Sequence, residues 1–135
     1  LAIMGSAQLF NATVLEFDLR GDDMTVGGGI NDLLSLNDAG GVLALDGILN
    51  VNGIGTFTNA IAGATWTLIS YAGSLTSNGL ELGSLPTLGP GLTWALDYDL
   101  ANQLVNLTVA IPEPTAWILV VVGLGILGLV ARRRP

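Results

Sequence analysis

Leu34-Ser35-Leu36-Asn37, Leu43-Ala44-Leu45-Asp46 and Leu49-Asn50-Val51-Asn52 repeat one unit: apolar, small or polar, apolar, then asparagine or aspartate. Alternation with a period of two places both apolar side chains on one face of a strand and the residue between them on the other. The closing Asn or Asp accepts the backbone of a tight corner. The units begin nine and then six residues apart, so the repeat is imperfect. Short strands joined by such corners suit a right-handed β-helix, in which each rung buries its apolar side against the next. A compact β-sandwich is the alternative arrangement of the same strands.

The period of two extends in both directions from this core. Leu15, Phe17 and Leu19 alternate with Glu16 and Asp18, and Leu92, Trp94, Leu96 and Tyr98 share one face of the run Leu92 to Asp99. Val105-Asn106-Leu107-Thr108-Val109 predicts a last strand with Asn106 and Thr108 outward. Gly27-Gly28-Gly29, Gly40-Gly41, Asp46-Gly47, Asn52-Gly53, Asn78-Gly79 and Gly89-Pro90-Gly91 mark the reversals or corners. No helical periodicity precedes Thr115, so residues 1–111 read as an all-β body.

Composition narrows what this body does. Ten carboxylates against Arg20 give residues 1–111 a net charge of −9, whereas Glu113 with Arg132, Arg133 and Arg134 gives the remainder +2. A lysine-free acidic surface cannot neutralise a phosphate backbone, so nucleic acid is excluded as a partner. The absence of cysteine and histidine removes disulfides, thiol nucleophiles, imidazole bases and the common zinc sites. No nucleophile–base arrangement stands out, no cofactor is called for, and the chain is expected not to be an enzyme. Nothing near Leu1 has the charged, apolar and small-residue order of a signal peptide, which predicts a mature form or a fragment of a longer precursor.

The C-terminal segment is a different physical object. Thr115 to Ala131 carries no charge, and its 17 residues span about 25 Å as a helix, near the lower limit for crossing a bilayer. In hydrocarbon the helix is favoured despite Gly123, Gly125 and Gly128, because unpaired backbone groups are costly there. Arg132, Arg133 and Arg134 would each cost about 3 kcal/mol at the bilayer centre, so they act as a stop left on the cytoplasmic side. Pro112 and Pro114 prevent the helix from starting earlier and hold Ile111 to Pro114 extended. A plain single-span anchor with a proline-containing linker satisfies these constraints.

The order of the parts adds more. Pro112-Glu113-Pro114, one short apolar span rich in Leu and Gly, and a terminal arginine cluster together resemble the PEP-CTERM sorting domain over about the last 24 residues. That resemblance implies recognition of Pro112, Glu113 and Pro114 by an exosortase, a membrane transpeptidase-like enzyme. It also implies removal of the helix and transfer to the envelope or to extracellular polysaccharide of a Gram-negative bacterium. The expected division is thus 1–111, an acidic exported body, and 112–135, the sorting and anchor segment with its span at about 115–131 and basic stop at 132–134.

The body in turn resembles the C-terminal end of an autotransporter-associated β-strand repeat region, through Asn31-Asp32-Leu33-Leu34, Leu49-Asn50-Val51, Trp66 to Tyr71 and Leu82 to Pro86 before the Trp94 strand. This implies that more of the same solenoid precedes the segment. Together the two resemblances lead to a structural or adhesin-like surface protein, located in the inner membrane during export and then at the cell surface or in the matrix. An exported polysaccharide-active enzyme or a glycan-binding module, with its active part upstream, is the competing expectation.

Five smaller signals compete with structural explanations. Arg20-Gly21-Asp22 is an adhesion tripeptide in matrix proteins and otherwise a turn. Gly27 to Asp32 partly matches a calcium-binding nonapeptide, Asp97 and Asp99 lie on one strand face as a carboxylate pair would, and Asn11-Ala12-Thr13 and Asn106-Leu107-Thr108 fit a glycosylation sequon. Trp66, Trp94, Tyr71 and Tyr98 either stack on sugar rings or fill the core.

Overall fold

A computed structural model describes residues 1–113 of the chain. They form eleven strands and, among the described residues, no helix: β1 (Ala2–Ile3), β2 (Ala7–Gln8), β3 (Val14–Arg20), β4 (Leu34–Leu36), β5 (Val42–Leu45), β6 (Ile48–Ile54), β7 (Thr65–Tyr71), β8 (Ser74–Ser77), β9 (Glu81–Leu82), β10 (Thr93–Asp99) and β11 (Leu104–Ala110). The predicted span at 115–131, Pro114 and the arginine cluster lie outside the described residues.

The first nine strands fall into three triplets. Each strand pairs in parallel with the strand holding the same place in the next triplet, giving orders β1-β4-β7, β2-β5-β8 and β3-β6-β9. Partners lie between 32 residues apart, as Val42 and Ser74 do, and 36, as Ala7 and Leu43 do. The units quoted above therefore occupy β4, β5 and β6, one on each sheet of a single triplet. They are not successive layers, and their uneven spacing reflects the corners between sheets. Inward side chains from the three sheets meet in one core, with Leu36, Leu43, Leu45, Leu49 and Val51 all at most 5% exposed.

One expected corner is strand. Asn52-Gly53 lies inside β6, because all seven β3 residues from Val14 to Arg20 find partners from Ile48 to Ile54. Gly53 is small for a packing reason: a Cβ there would sit 2.8 Å from Pro86 Cγ.

The last two strands reverse direction. β11 adds to β7 antiparallel, and β10 pairs with β11 over Thr93–Ala110 through Asp99–Leu104. A bulge opposite Val105 and Asn106 lets adjacent Leu68 and Ile69 both turn inward, each fully buried. Val105, Leu107 and Val109 are buried, while Trp94, Leu96 and Tyr98 of β10 pack partly buried against the same core. Phe57, Trp66 and Trp94 form an aromatic cluster with ring centroids 5.4 to 5.8 Å apart.

Candidate functional site

The chain leaves the fold beside the hairpin. Val109 is still anchored, its N–H donating to the Ala64 carbonyl (2.9 Å) and its carbonyl accepting from Gly63 N–H (2.8 Å), and Ala110 pairs with Thr93. Beyond it Ile111, Pro112 and Glu113 are exposed and belong to no strand. The two prolines flanking Glu113 remove two donors, so this piece has little means of joining a sheet.

The hairpin that precedes the exit is tied down at three places. At its turn, Asp99 accepts from the backbone N–H and side-chain amide of Asn102 (3.0 and 2.7 Å). Those bonds hold the Asp99 carboxyl below its ordinary value. Gln103, left-handed at φ 57°, donates from its amide to the carbonyls of Ala72 and Gly73 and so clamps the turn to the third triplet. Trp94 Nε1 donates to the Pro86 carbonyl (2.8 Å). Gln103 gave no pattern by which the sequence could single it out, since its partner is 30 residues away.

Asn106 departs from its expected exposure. It does lie on the outer sheet face, yet it is only 5% exposed. Its cross-strand neighbours on both sides are polar: Thr67 donates its hydroxyl to Asn106 Oδ1 (2.9 Å), and Asn106 Nδ2 donates to Asp97 (3.3 Å). Asp97 is thereby engaged by Asn106 and Asp99 by Asn102, so the two carboxylates serve the hairpin and are not left facing a common reaction centre. Of the two sequons, the one at Asn106 is in a strand with its amide occupied, and the one at Asn11 is exposed in a turn where Thr13 Oγ1 accepts from Phe10 N–H.

The remaining sequence signals are brought together at one corner. Arg20 ends β3 and its Nε contacts Asp22 at 3.3 Å, while a Cβ on Gly21 would collide with the Thr56 carbonyl. The tripeptide is a packed turn with its two charges turned toward each other. Asn31 is 5% exposed and fully used: its amide donates to the carbonyls of Asp23 and Thr25 (2.8 Å each), and its Oδ1 accepts from Arg20 N–H (2.7 Å). Asp32 accepts from Asp18 N–H (2.9 Å). Asn31 Oδ1 and one Asp32 carboxylate oxygen of the Gly-rich segment are thus taken up by backbone N–H groups of β3. Asp23 is held below its ordinary value by the Thr25 side chain and N–H.

A groove of about 500 Å³ opens next to this corner, lined by Met24, Ile61, Ala60 and Ala64 with Asp22 at its rim. It offers one carboxylate, already paired with Arg20, and no second acid or base. Trp66 and Tyr71 are buried, Trp66 with its Nε1 on the Arg20 carbonyl (2.8 Å), which removes them as sugar platforms.

Comparison with known proteins is decisive at the exit segment. Residues 110–134 match the PEP-CTERM protein-sorting motif. The chain carries a PEP-CTERM sorting motif. Such a motif marks an exported protein, and its match begins at Ala110, the last residue of β11. Over 107 residues, 79% of this chain, the sequence is 40% identical to the adhesin BmaC autotransporter of Brucella suis biovar 1 (strain 1330). The chain spans 3% of the length of that curated relative. No solved structure matched.

Proposed function

We propose that this chain is the sorting end of an exported, non-enzymatic, adhesin-like surface protein of a Gram-negative bacterium. Residues 1–111 are the closing end of a right-handed β-solenoid. Residues 112–135 hold it in the inner membrane until an exosortase-type enzyme cleaves at Pro112-Glu113-Pro114 and passes the body to the cell surface or its polysaccharide matrix. The observation that carries this reading is the sorting motif abutting the last strand of a β body, in a chain that over 107 residues is 40% identical to part of an adhesin.

The parallel pairing of three triplets at intervals of 32 to 36 residues supports a solenoid over a sandwich, whose sheets pair antiparallel. The uneven ends support continuation upstream. Ile3 and Leu15 are only partly buried, whereas their register partners Leu36 and Leu49 are 3% and 0% exposed, so the first triplet presents an inner face suited to a further layer. A body lacking histidine and cysteine, with its paired acids bonded within the fold, supports a scaffold or adhesive role.

Replacing Pro112, Glu113 and Pro114 together by alanine tests the sorting reading. The expected result is an unprocessed chain of full mass retained in the inner membrane. Processing and surface delivery that continue unchanged would refute it.

A further inference from the structure

We infer that the enzyme that takes up the sorting segment must first draw the end of β11 out of the sheet, so that the edge of the fold sets the rate of sorting. This rests on the sorting reading above and adds to it a coupling between folding and processing.

The argument is one of reach. Between Ala110, the last paired residue, and Pro112 stands Ile111 alone. A cleft that grips an extended chain on both sides of its target covers about 3.3 Å per residue, so even two residues ahead of Pro112 include Ala110. The sorting-motif match likewise starts at Ala110, inside the strand. Yet Ala110 is flanked by Thr93 of β10, which is packed through Trp94, and the walls of an enclosing cleft cannot pass the neighbouring strand. Strand ends open more readily than strand centres. Here the opening has a natural limit: Val109 is 2% exposed and bonded to both Ala64 and Gly63, so release of Ala110 is local while release of Val109 disturbs the core.

The chain lacks cysteine, so a single engineered disulfide reports on this cleanly. Opposite residues of an antiparallel pair lie about 4.5 to 5.5 Å apart, within the span of a disulfide. The full chain, inserted in membranes containing a processing enzyme for the motif, is compared in three forms: unaltered, with Thr93→Cys and Ala110→Cys, and with a six-residue Gly-Ser spacer between Ala110 and Ile111. The oxidised pair is expected to slow cleavage about tenfold and to recover on adding reductant, and the spacer to accelerate it about three- to tenfold, the range of one or two strand-end hydrogen bonds. Recovery in the same sample separates locking from misfolding. Equal rates for all three forms would overturn the inference and leave the sorting reading standing. Cleavage that persists at the same rate in the Pro112, Glu113 and Pro114 alanine variant would overturn both.

Discussion

The first triplet and the closing hairpin occupy opposite ends of one core, and they end it differently. At the hairpin, a reversed pair of strands covers the core: Val105, Leu107 and Val109 are fully or almost fully buried, and Trp94, Leu96 and Tyr98 lean over them. At the first triplet Ile3, Leu9 and Leu15 are only partly buried, and Leu1, Met4, Phe10 and Val14 stand exposed nearby. The edge of β3 is protected over only half its length. Asp32 exchanges backbone and side-chain bonds with Asp18, and Asn31 caps Arg20 N–H, so the loop folds back over the second half of the strand. The lesson is that parallel stacking does not terminate itself: every layer leaves an edge like the one before it, and an end requires a change of strand direction or a loop that occupies the donors.

Substitution at register partners gives the largest contrast between layers. Leu49→Ala in the middle triplet is expected to cost about 2–5 kcal/mol, and Leu15→Ala, its register partner in the first triplet, about 1–2 kcal/mol because its side chain is only partly buried. Urea denaturation of the two variants measures this, and equal losses would mean that the first triplet is as well covered as the second.

Asn31→Ala is next. It strands the carbonyls of Asp23 and Thr25 and the N–H of Arg20, for a loss of about 1–3 kcal/mol, and it bares the Arg20 end of the β3 edge. Increased self-association on light scattering, without a matching increase for Asn102→Ala at the hairpin turn, would sharpen the comparison. No change in either property would break it.

The smallest effect belongs to the hairpin turn. Asp99 is held below its ordinary 3.8 by hydrogen bonds from the Asn102 side chain and N–H. A carboxyl whose folded value lies below its unfolded one adds stability above the ordinary value and loses it as pH falls through the lowered one. The melting temperature should therefore fall as the pH drops below the ordinary carboxyl value of 3.8, and Asp99→Asn should remove a small part of that fall. Asp23, lowered in the same direction by Thr25, contributes to the remainder.

Much of this was legible in the chain itself. Period-two alternation located β3, β6, β10 and β11, and it put Phe17, Leu19, Leu49 and Val51 in the core, because a strand's two faces are fixed by its backbone alone. The sorting motif was legible for a similar reason: prolines, an uncharged run and a basic cluster act locally and in order. The long repeat was not legible there. Gly5, Gly41 and Gly73 stand 36 and then 32 residues apart. A Cβ on Gly41 would strike the Gly5 carbonyl, and one on Gly73 the Gly41 carbonyl, so these three glycines mark the same corner in successive triplets. Corner lengths varying by a few residues blur that signal until the layers are stacked.

By itself, then, the sequence determined that strands would form, which side of each would seek the core, and that a sorting motif follows them. Only the tertiary structure decided which strand lies beside which, that Asn106 and Asn31 are buried, and that an antiparallel hairpin closes the end next to the exit. The reason is that strand order rests on backbone hydrogen bonds between residues some 30 positions apart, and the two asparagines are covered only by what that order brings beside them; a backbone donor carries no mark in the sequence of the partner it will find.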